Sequence, residues 1–385
     1  MSTVLYISSS SKIGGAERSL VSLLNNLDTS RYAPVVVLPE EGPLYEELKN
    51  DFPLEIVPMR RITRSRNPIA LVSYALNLCR SVRRLSLIIR RRGVRLIHCN
   101  TASAHLFGGI AGRLHRLPVI WHVRDVAPLG IFGKLLFGLS SWVVVTSRFV
   151  AEEVSRYAGS AGRGKIVLIY NGVDVRGARP AGAQAGLEGG GRLRESCGLA
   201  PHAPTVAMVG QIVPWKRHAD FIRAAGNILN EVPGAAFFLV GEDLFGDHAA
   251  YEDELRRTVV ALGLERHFIF TGYCKDVAAL LSQIDVLVHP AACEPFGRVI
   301  VEAMALGKPV VAVDSGGPAE IVVHDWTGCL VPPGDVRAMA EAVIGLLRDA
   351  DRRRLMGERA RKRVHEAFDI VKHTSAVMDV YERCC

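Results

Sequence analysis

Residues 286–313 read VLVHPAACEPFGRVIVEAMALGKPVVAV. An apolar run at 286–289 gives way to a loop broken by Pro290 and Pro295, a helix-compatible stretch containing EAMALG, and a second β-branched run at 310–313. Strand, helix and strand in that order point to a parallel sheet covered by helices. The alternation extends both ways. Upstream runs lie at 4–8, 35–38, 54–57, 96–99, 119–123, 142–146 and 166–169, then at 205–209, 236–240 and 268–270; one more lies downstream at 328–331. Residues 336–383 are almost entirely helical in pattern. The expected fold class is α/β, with two Rossmann-like, doubly wound domains facing across a cleft and ligands at the carboxyl ends of the strands.

A chain of 385 residues is too long for one small domain. Between the two series, residues 177–192 hold six glycines and no periodicity, which reads as a flexible connection. The expected division is a first domain at 1–175, a linker at 176–200, a second domain at 201–365, and a C-terminal helix at 366–385 packing back on the first domain. Apolar residues at 49% and charged residues at 22% exclude disorder, collagen and a disulfide scaffold. The eight cysteines show no CxxC pair or zinc spacing, so reduced thiols in a cytoplasmic protein are expected. The opening MSTVLYISSS lacks the basic and apolar regions of a signal peptide, and no apolar run reaches the length of a membrane span.

The net charge of +8 is unevenly distributed: residues 1–165 carry +12 and residues 166–385 carry −4. From Ile56 to Arg124 there are fourteen arginines and no acidic residue. A one-signed surface of this extent usually meets an anion. Asn67-Pro68 reads as a helix start and Gly93 as its stop. Between them Leu71, Ala75, Leu78, Val82, Leu85 and Ile89 fall on one face, with Arg80, Arg83, Arg84 and Arg91 opposite and Arg60, Arg61, Arg64 and Arg66 just upstream. No carboxylate lies nearby in the sequence, so anionic lipid headgroups are the expected counter-charge, with the nearly uncharged segment 129–139 adding shallow insertion. Aromatic residues other than Tyr74 are missing from the basic cluster, so nucleic acid is not an expected partner.

Gly14 and Gly15 follow the first strand and precede the first helix, a place where backbone N–H groups can approach a phosphate. The loop is not GxGxxG, which argues against a dinucleotide dehydrogenase. The second half is more specific. Glu294, Phe296 and Gly297 follow a strand ending in His289, Glu302 comes eight residues after Glu294, and Gly316-Gly317 with Glu320 follow the next strand. Glutamates accept hydrogen bonds from sugar hydroxyls, and amides around Phe296-Gly297 are placed to donate to hydroxyls or phosphate. The single Asp-x-Asp, Asp349-Ala350-Asp351, sits among arginines and reads as an exposed turn, so neither a metal nor a cofactor is expected.

GGAER, YNGVD, VGQIVPWK, EPFGRVIVEAMALGKPVVA and SGGPAEIV occur in an order and spacing that resemble the GT-B glycosyltransferases of family 4, over nearly the whole chain. The resemblance implies sugar transfer from a nucleotide-activated donor, most often a UDP-hexose or UDP-N-acetylhexosamine, with retained anomeric configuration and no metal. By motif, Glu294 would bind the donor-sugar hydroxyls, with Phe296 and Gly297 giving backbone contacts beside it. Glu302 would hold the ribose, and Lys216 would neutralise the diphosphate. His122 would lie near the reactive centre, with Asp125 orienting it or receiving the acceptor proton. The family most often has Arg where this chain has Gln211, a donor without charge; Arg217 and Arg298 are the candidates to make up the difference. A glycan or lipid-linked acceptor in envelope polysaccharide assembly, used by a peripheral enzyme on the cytoplasmic face of the membrane, is the expected setting. The rivals are a nucleotide-sugar epimerase, which would turn over donor without acceptor, and a non-enzymatic binder of anionic surfaces, which would turn over nothing.

Overall fold

The computed structural model describes residues 1–62, 67–126, 129–175 and 193–384. Residues 177–192, Arg64 and Arg66 lie outside them. The chain forms two units, Met1–Gly172 with Ile370–Cys385, and Val173–Asp369.

The first unit is built on seven strands: β1 Ser2–Ile7, β2 Tyr32–Leu38, β3 Leu54–Ile56, β4 Val94–Cys99, β5 Val119–Val123, β6 Trp142–Val145 and β7 Ile166–Leu168. All pairings are parallel, in the order β3-β2-β1-β4-β5-β6-β7. Helices cover both faces, so the central strands bury side chains on both faces and are mostly apolar, not alternating, with His98 and His122 enclosed among them. In β1, Leu5 and Ile7 enter the core on one face, while Val4 and Tyr6 enter the core on the other. The last helix, Ile370–Glu382, adds Val377, Val380 and Tyr381 to the Val4–Tyr6 side.

The second unit has six parallel strands: β8 Thr205–Val209, β9 Ala236–Val240, β10 Phe268–Gly272, β11 Val286–His289, β12 Val310–Val313 and β13 Gly328–Val331, in the order β10-β9-β8-β11-β12-β13. Residues 193–200, expected in the linker, are pinned to this unit. Leu193 is buried, and Arg194 donates to Asp285, Thr205 and two backbone carbonyls.

In each sheet the strand order reverses direction once, between β1 and β4 and between β8 and β11. Loops leaving neighbouring strands at such a point diverge and open a crevice at the carboxyl edge. The loops there are residues 8–14 and Asn100 in the first unit, and residues 210–217 and 290–297 in the second.

The basic helix spans Pro68–Arg92, capped by the Asn67 side chain and ended by Gly93 in the left-handed region. Its apolar face differs from the expected stripe. Val82, Leu85 and Ile89 are buried and Leu78 is half-buried, but Leu71 and Ala75 are exposed, as are Ile69, Val72 and Leu76. A helix of 25 residues is about 37 Å long. It is longer than the strands it accompanies, and the apolar side chains of its first turns stay exposed. The arginines are not all unbalanced either: Arg91 and Arg92 both pair with Glu55, at 2.6 and 2.8 Å. Glu55 stands one residue before the acid-free window begins.

Candidate active site

In the second unit, the turn after β8 carries Lys216 and the loop after β11 carries Glu294. They are 78 residues apart in sequence, yet Lys216 Nζ donates to Glu294 Oε2. His289, the last residue of β11, has its Nε2 3.1 Å from the same oxygen. Glu294 and His289 are both buried. Burial alone would raise the Glu294 carboxyl, but the Lys216 charge and the His289 contact outweigh it and hold the group down to about 2. Burial keeps His289 below its ordinary range, so the ring is neutral. Lys216 also lies 4.4 Å over the half-exposed ring of Trp215.

Glycines make this loop possible. Gly297 adopts φ +94°, and a Cβ there would stand 2.9 Å from Ile300. Gly316 and Gly317 press on the loop from β12: a Cβ on Gly316 would come within 2.6 Å of the Glu294 carbonyl oxygen, and one on Gly317 within 2.4 Å of Phe296. The Gly317 N–H donates to the Glu294 carbonyl at 2.9 Å, and Ser315 Oγ donates to the Ala292 carbonyl. The SGG motif is thus the clamp that shapes the EPFG loop.

The remaining donor-side candidates have partners within the unit. Arg298 Nε donates to Glu302 at 2.6 Å, and Arg217 Nε to Asp220 at 2.6 Å, so neither proposed substitute for the missing Arg is a bare charge. Gln211 is half-buried, next to Gly210 at the end of β8. Among the described residues no group of His, Cys, Asp or Glu gathers as a metal site. Asp349 caps the Ala350–Ala367 helix, donating no ligand set with Asp351.

In the first unit, His122 is the next-to-last residue of β5. Every residue of β5 is buried, and His122 is fully enclosed. Its Nδ1 lies 3.2 Å from His98 Nε2, and His98 Nδ1 lies 2.7 Å from the Tyr381 hydroxyl, which donates to Tyr6 at 3.0 Å. Burial, then the Arg124 charge, keeps both histidines well below their ordinary range. Arg124 links this network to the carboxyl edge. Its guanidinium donates to Asn100 and Asn171, each at 2.6 Å, and approaches His122 Nδ1 at 3.3 Å. Asp125 is exposed beside it.

Gly14 does not offer its N–H to a ligand. That group donates to Glu17 Oε2 at 3.1 Å, while Gly15 has open space around its Cα. Glu17 is buried, and burial lifts its carboxyl to about 6 despite the nearby Arg124 charge. Among the membrane candidates, Arg60 donates to Ser73, Arg61 acts on the charge of Asp125, and Arg80, Arg83 and Arg84 are exposed.

Sequence reasoning missed His289, Arg124 and Glu17. The available signal was positional: His289 and Arg124 stand at the carboxyl ends of β11 and β5, and Glu17 in the first turn of the helix after β1.

Two parallel-sheet Rossmann-like domains, with these loops at their carboxyl edges, are those of a GT-B glycosyltransferase. The description "Glycosyl transferases group 1" matches residues 192–363, and "Glycosyltransferase Family 4" matches residues 13–176. The two matches lie side by side along the chain, and together they make it a GT-B glycosyltransferase of the family 4/group 1 type. It is 27% identical over 305 residues to the N-acetyl-alpha-D-glucosaminyl L-malate synthase of Bacillus anthracis, covering 76% of each chain. It is 22% identical over 384 residues to the Escherichia coli UDP-Gal:alpha-D-GlcNAc-diphosphoundecaprenol alpha-1,3-galactosyltransferase, covering 96% of this chain and 94% of that one. The solved structure of Anabaena HepE in complex with UDP-glucose superposes with a TM-score of 0.84 at 26% identity over the whole of both chains.

Proposed function

We propose that the chain transfers a hexose or N-acetylhexosamine from a UDP-sugar, with retention and without a metal ion, to a glycan or lipid-linked acceptor in envelope polysaccharide assembly. The observation that carries the donor side is the meeting of Lys216, Glu294 and His289 where the second sheet reverses its strand order. In this reading the donor diphosphate takes the Lys216 ammonium from Glu294, and Lys216 stabilises the charge of the departing nucleotide. Glu294, already ionised, accepts hydroxyls of the donor sugar, with Phe296 and Gly297 beside it. Glu302 takes the ribose hydroxyls, and Gln211 donates a neutral hydrogen bond to phosphate. Asp125 receives the acceptor proton, and His122 acts through Arg124. The UDP-glucose bound by HepE supports uridine, and the acceptor named for the E. coli relative supports a lipid-linked one.

Calorimetric titration with UDP, GDP, ADP and dTDP tests the donor. UDP is expected to bind tightest; tighter GDP or ADP binding would overturn the choice. NMR of the donor incubated without acceptor separates transfer from epimerisation.

No helix among the described residues is long and apolar enough to cross a membrane. We read the enzyme as peripheral on the cytoplasmic face of the membrane. Exposed Ile69, Leu71, Val72 and Leu76 share one helix with exposed Arg80, Arg83 and Arg84, which supports that reading.

A further inference from the structure

Glu294 has two oxygens, and the protein uses them unequally. Both protein contacts, from Lys216 Nζ and His289 Nε2, go to Oε2. Oε1 has no protein donor among the described residues, and it is not among the buried polar atoms left without a partner. The carboxylate is therefore held by one edge and presented by the other.

His289 can hold it only in one protonation state. The ring is fully enclosed at the end of β11, and its Nδ1 has no hydrogen-bond partner among the described residues. A neutral imidazole carries a single N–H. At 3.1 Å from an ionised oxygen, that proton belongs on Nε2; a bare Nε2 would set two lone pairs against each other. The charged groups around the ring are Lys216 and Glu294 themselves, and the neighbouring His218 is kept neutral by burial, down to about 3.

When the donor diphosphate draws Lys216 away, His289 is the contact that remains on Oε2. We propose that His289 is a positioning residue for the donor sugar: its Nε2–H fixes the Glu294 carboxylate through Oε2 and leaves Oε1 as the oxygen that accepts a sugar hydroxyl. This rests on the reading of Glu294 as the sugar-binding carboxylate. It assigns to the end of β11 a role in recognising the sugar but none in recognising UDP.

The test uses the full chain and the variants His289→Leu, His289→Gln and Glu294→Gln. UDP, UDP-glucose, UDP-galactose and UDP-N-acetylglucosamine are titrated calorimetrically, and the readout is the affinity for the tightest sugar nucleotide relative to UDP. The Leu variant is expected to lose about tenfold in that ratio with UDP binding nearly unchanged, because it removes the donor to a charged group. Gln carries an N–H at the reach of Nε2 and is expected to stay within about threefold of wild type. If Glu294→Gln lowers the ratio while His289→Leu does not, or if Gln fails to restore what Leu loses, the positioning role falls and the Glu294 reading stands. If Glu294→Gln leaves the ratio unchanged, or wild type binds none of the three sugar nucleotides, the reading beneath it falls as well. Nitrogen-15 NMR of the wild-type ring needs no substitution: a proton on Nδ1 in place of Nε2 would overturn the proposal directly.

Discussion

Gly316 lies so close to Glu294 that a Cβ on it would stand 2.6 Å from the Glu294 carbonyl oxygen, and its φ of +63° is one that side chains rarely adopt. The loop that presents the carboxylate is therefore shaped from behind by a residue on a different strand connection. Gly317, next to it, leaves equally little room against Phe296.

Gly317→Ala is expected to displace the EPFG loop, since its Cβ would meet the backbone of Phe296, which cannot swing aside as a flexible side chain would. Overpacking of this kind costs about 1–3 kcal/mol. The expected result is a folded protein with a lowered Tm and a large loss of turnover. Thermal melts together with a transfer assay check it, and wild-type turnover would show that the loop tolerates the shift.

Lys216→Ala and Glu294→Gln are expected to fail by different routes. Loss of Lys216 removes a charge-assisted contact to the diphosphate, about 1.5–3 kcal/mol, so UDP itself should bind roughly 10- to 100-fold more weakly. Loss of Lys216 also takes away the chief influence lowering Glu294, whose carboxyl should titrate at higher pH. Glu294→Gln should leave UDP affinity nearly intact. Titration of both variants with UDP decides, and equal losses would mean that the two residues do not divide the donor between them.

Much of the fold and of this candidate site is legible in the sequence. The strands are, because β-branched runs of four to six residues between helical stretches admit few other readings. Lys216 and Glu294 were found by motif, but only the crossing order of β8 and β11 brings them together. His289 looked like the end of a strand, and nothing local distinguishes it from a core residue. His122 was singled out by the resemblance, and the sequence does not show how deeply it lies: β5 is an inner strand covered on both faces, so its position in the sheet buries the ring. The stripe on the Pro68–Arg92 helix failed at its first turns because periodicity identifies a face and says nothing about how far the packed surface extends.

Acid should destabilise the fold in two stages. His98 and His122 are held well below 6.5 by burial and the Arg124 charge, while burial takes His105 down to about 4 and His218 to about 3. Their folded-state values lie below the unfolded one, so the unfolded chain binds more protons, and stability is lost as pH falls below about 6.5. Glu294, at about 2 against 4.5 unfolded, adds a second loss from about pH 4.5 downward. Thermal melts from about pH 8 to pH 4 are expected to show a plateau that declines below about 6.5 and steepens below about 4.5. A Tm that holds constant down to about pH 5 would contradict the neutral buried histidines.

Glu17 has the opposite sign. Its folded value of about 6 lies above the unfolded 4.5, so its ionised form destabilises the fold at neutral pH. A difference of that size corresponds to about 2 kcal/mol. Gln keeps an oxygen for the Gly14 N–H and has no charge to bury. Glu17→Gln is expected to raise the Tm by several degrees at about pH 7.5, with the gain shrinking toward about pH 4.5 as the wild-type carboxyl protonates. A pH-independent gain would mean that something other than the buried charge is responsible.

Membrane association is expected to depend on the helix Pro68–Arg92 as a whole. Ile69 is 78% exposed, and Leu71, Val72 and Leu76 are exposed beside it, while Ile131 in the helix Ile131–Leu139 is 87% exposed. Side chains of this kind insert shallowly where arginines hold the helix against anionic headgroups. Arg91 contributes less, since Glu55 already neutralises it; Arg80, Arg83 and Arg84 are the ones to change. At roughly 1 kcal/mol for each basic residue near the surface, replacing all three with Gln should weaken binding to anionic vesicles by about 100-fold. Leu71→Ser with Leu76→Ser should weaken it further without changing its salt dependence, because the apolar contribution is not screened. Flotation with vesicles containing phosphatidylglycerol, at low and high salt, separates the two contributions. If wild type fails to float even at low salt, the membrane reading is overturned while the family assignment is untouched.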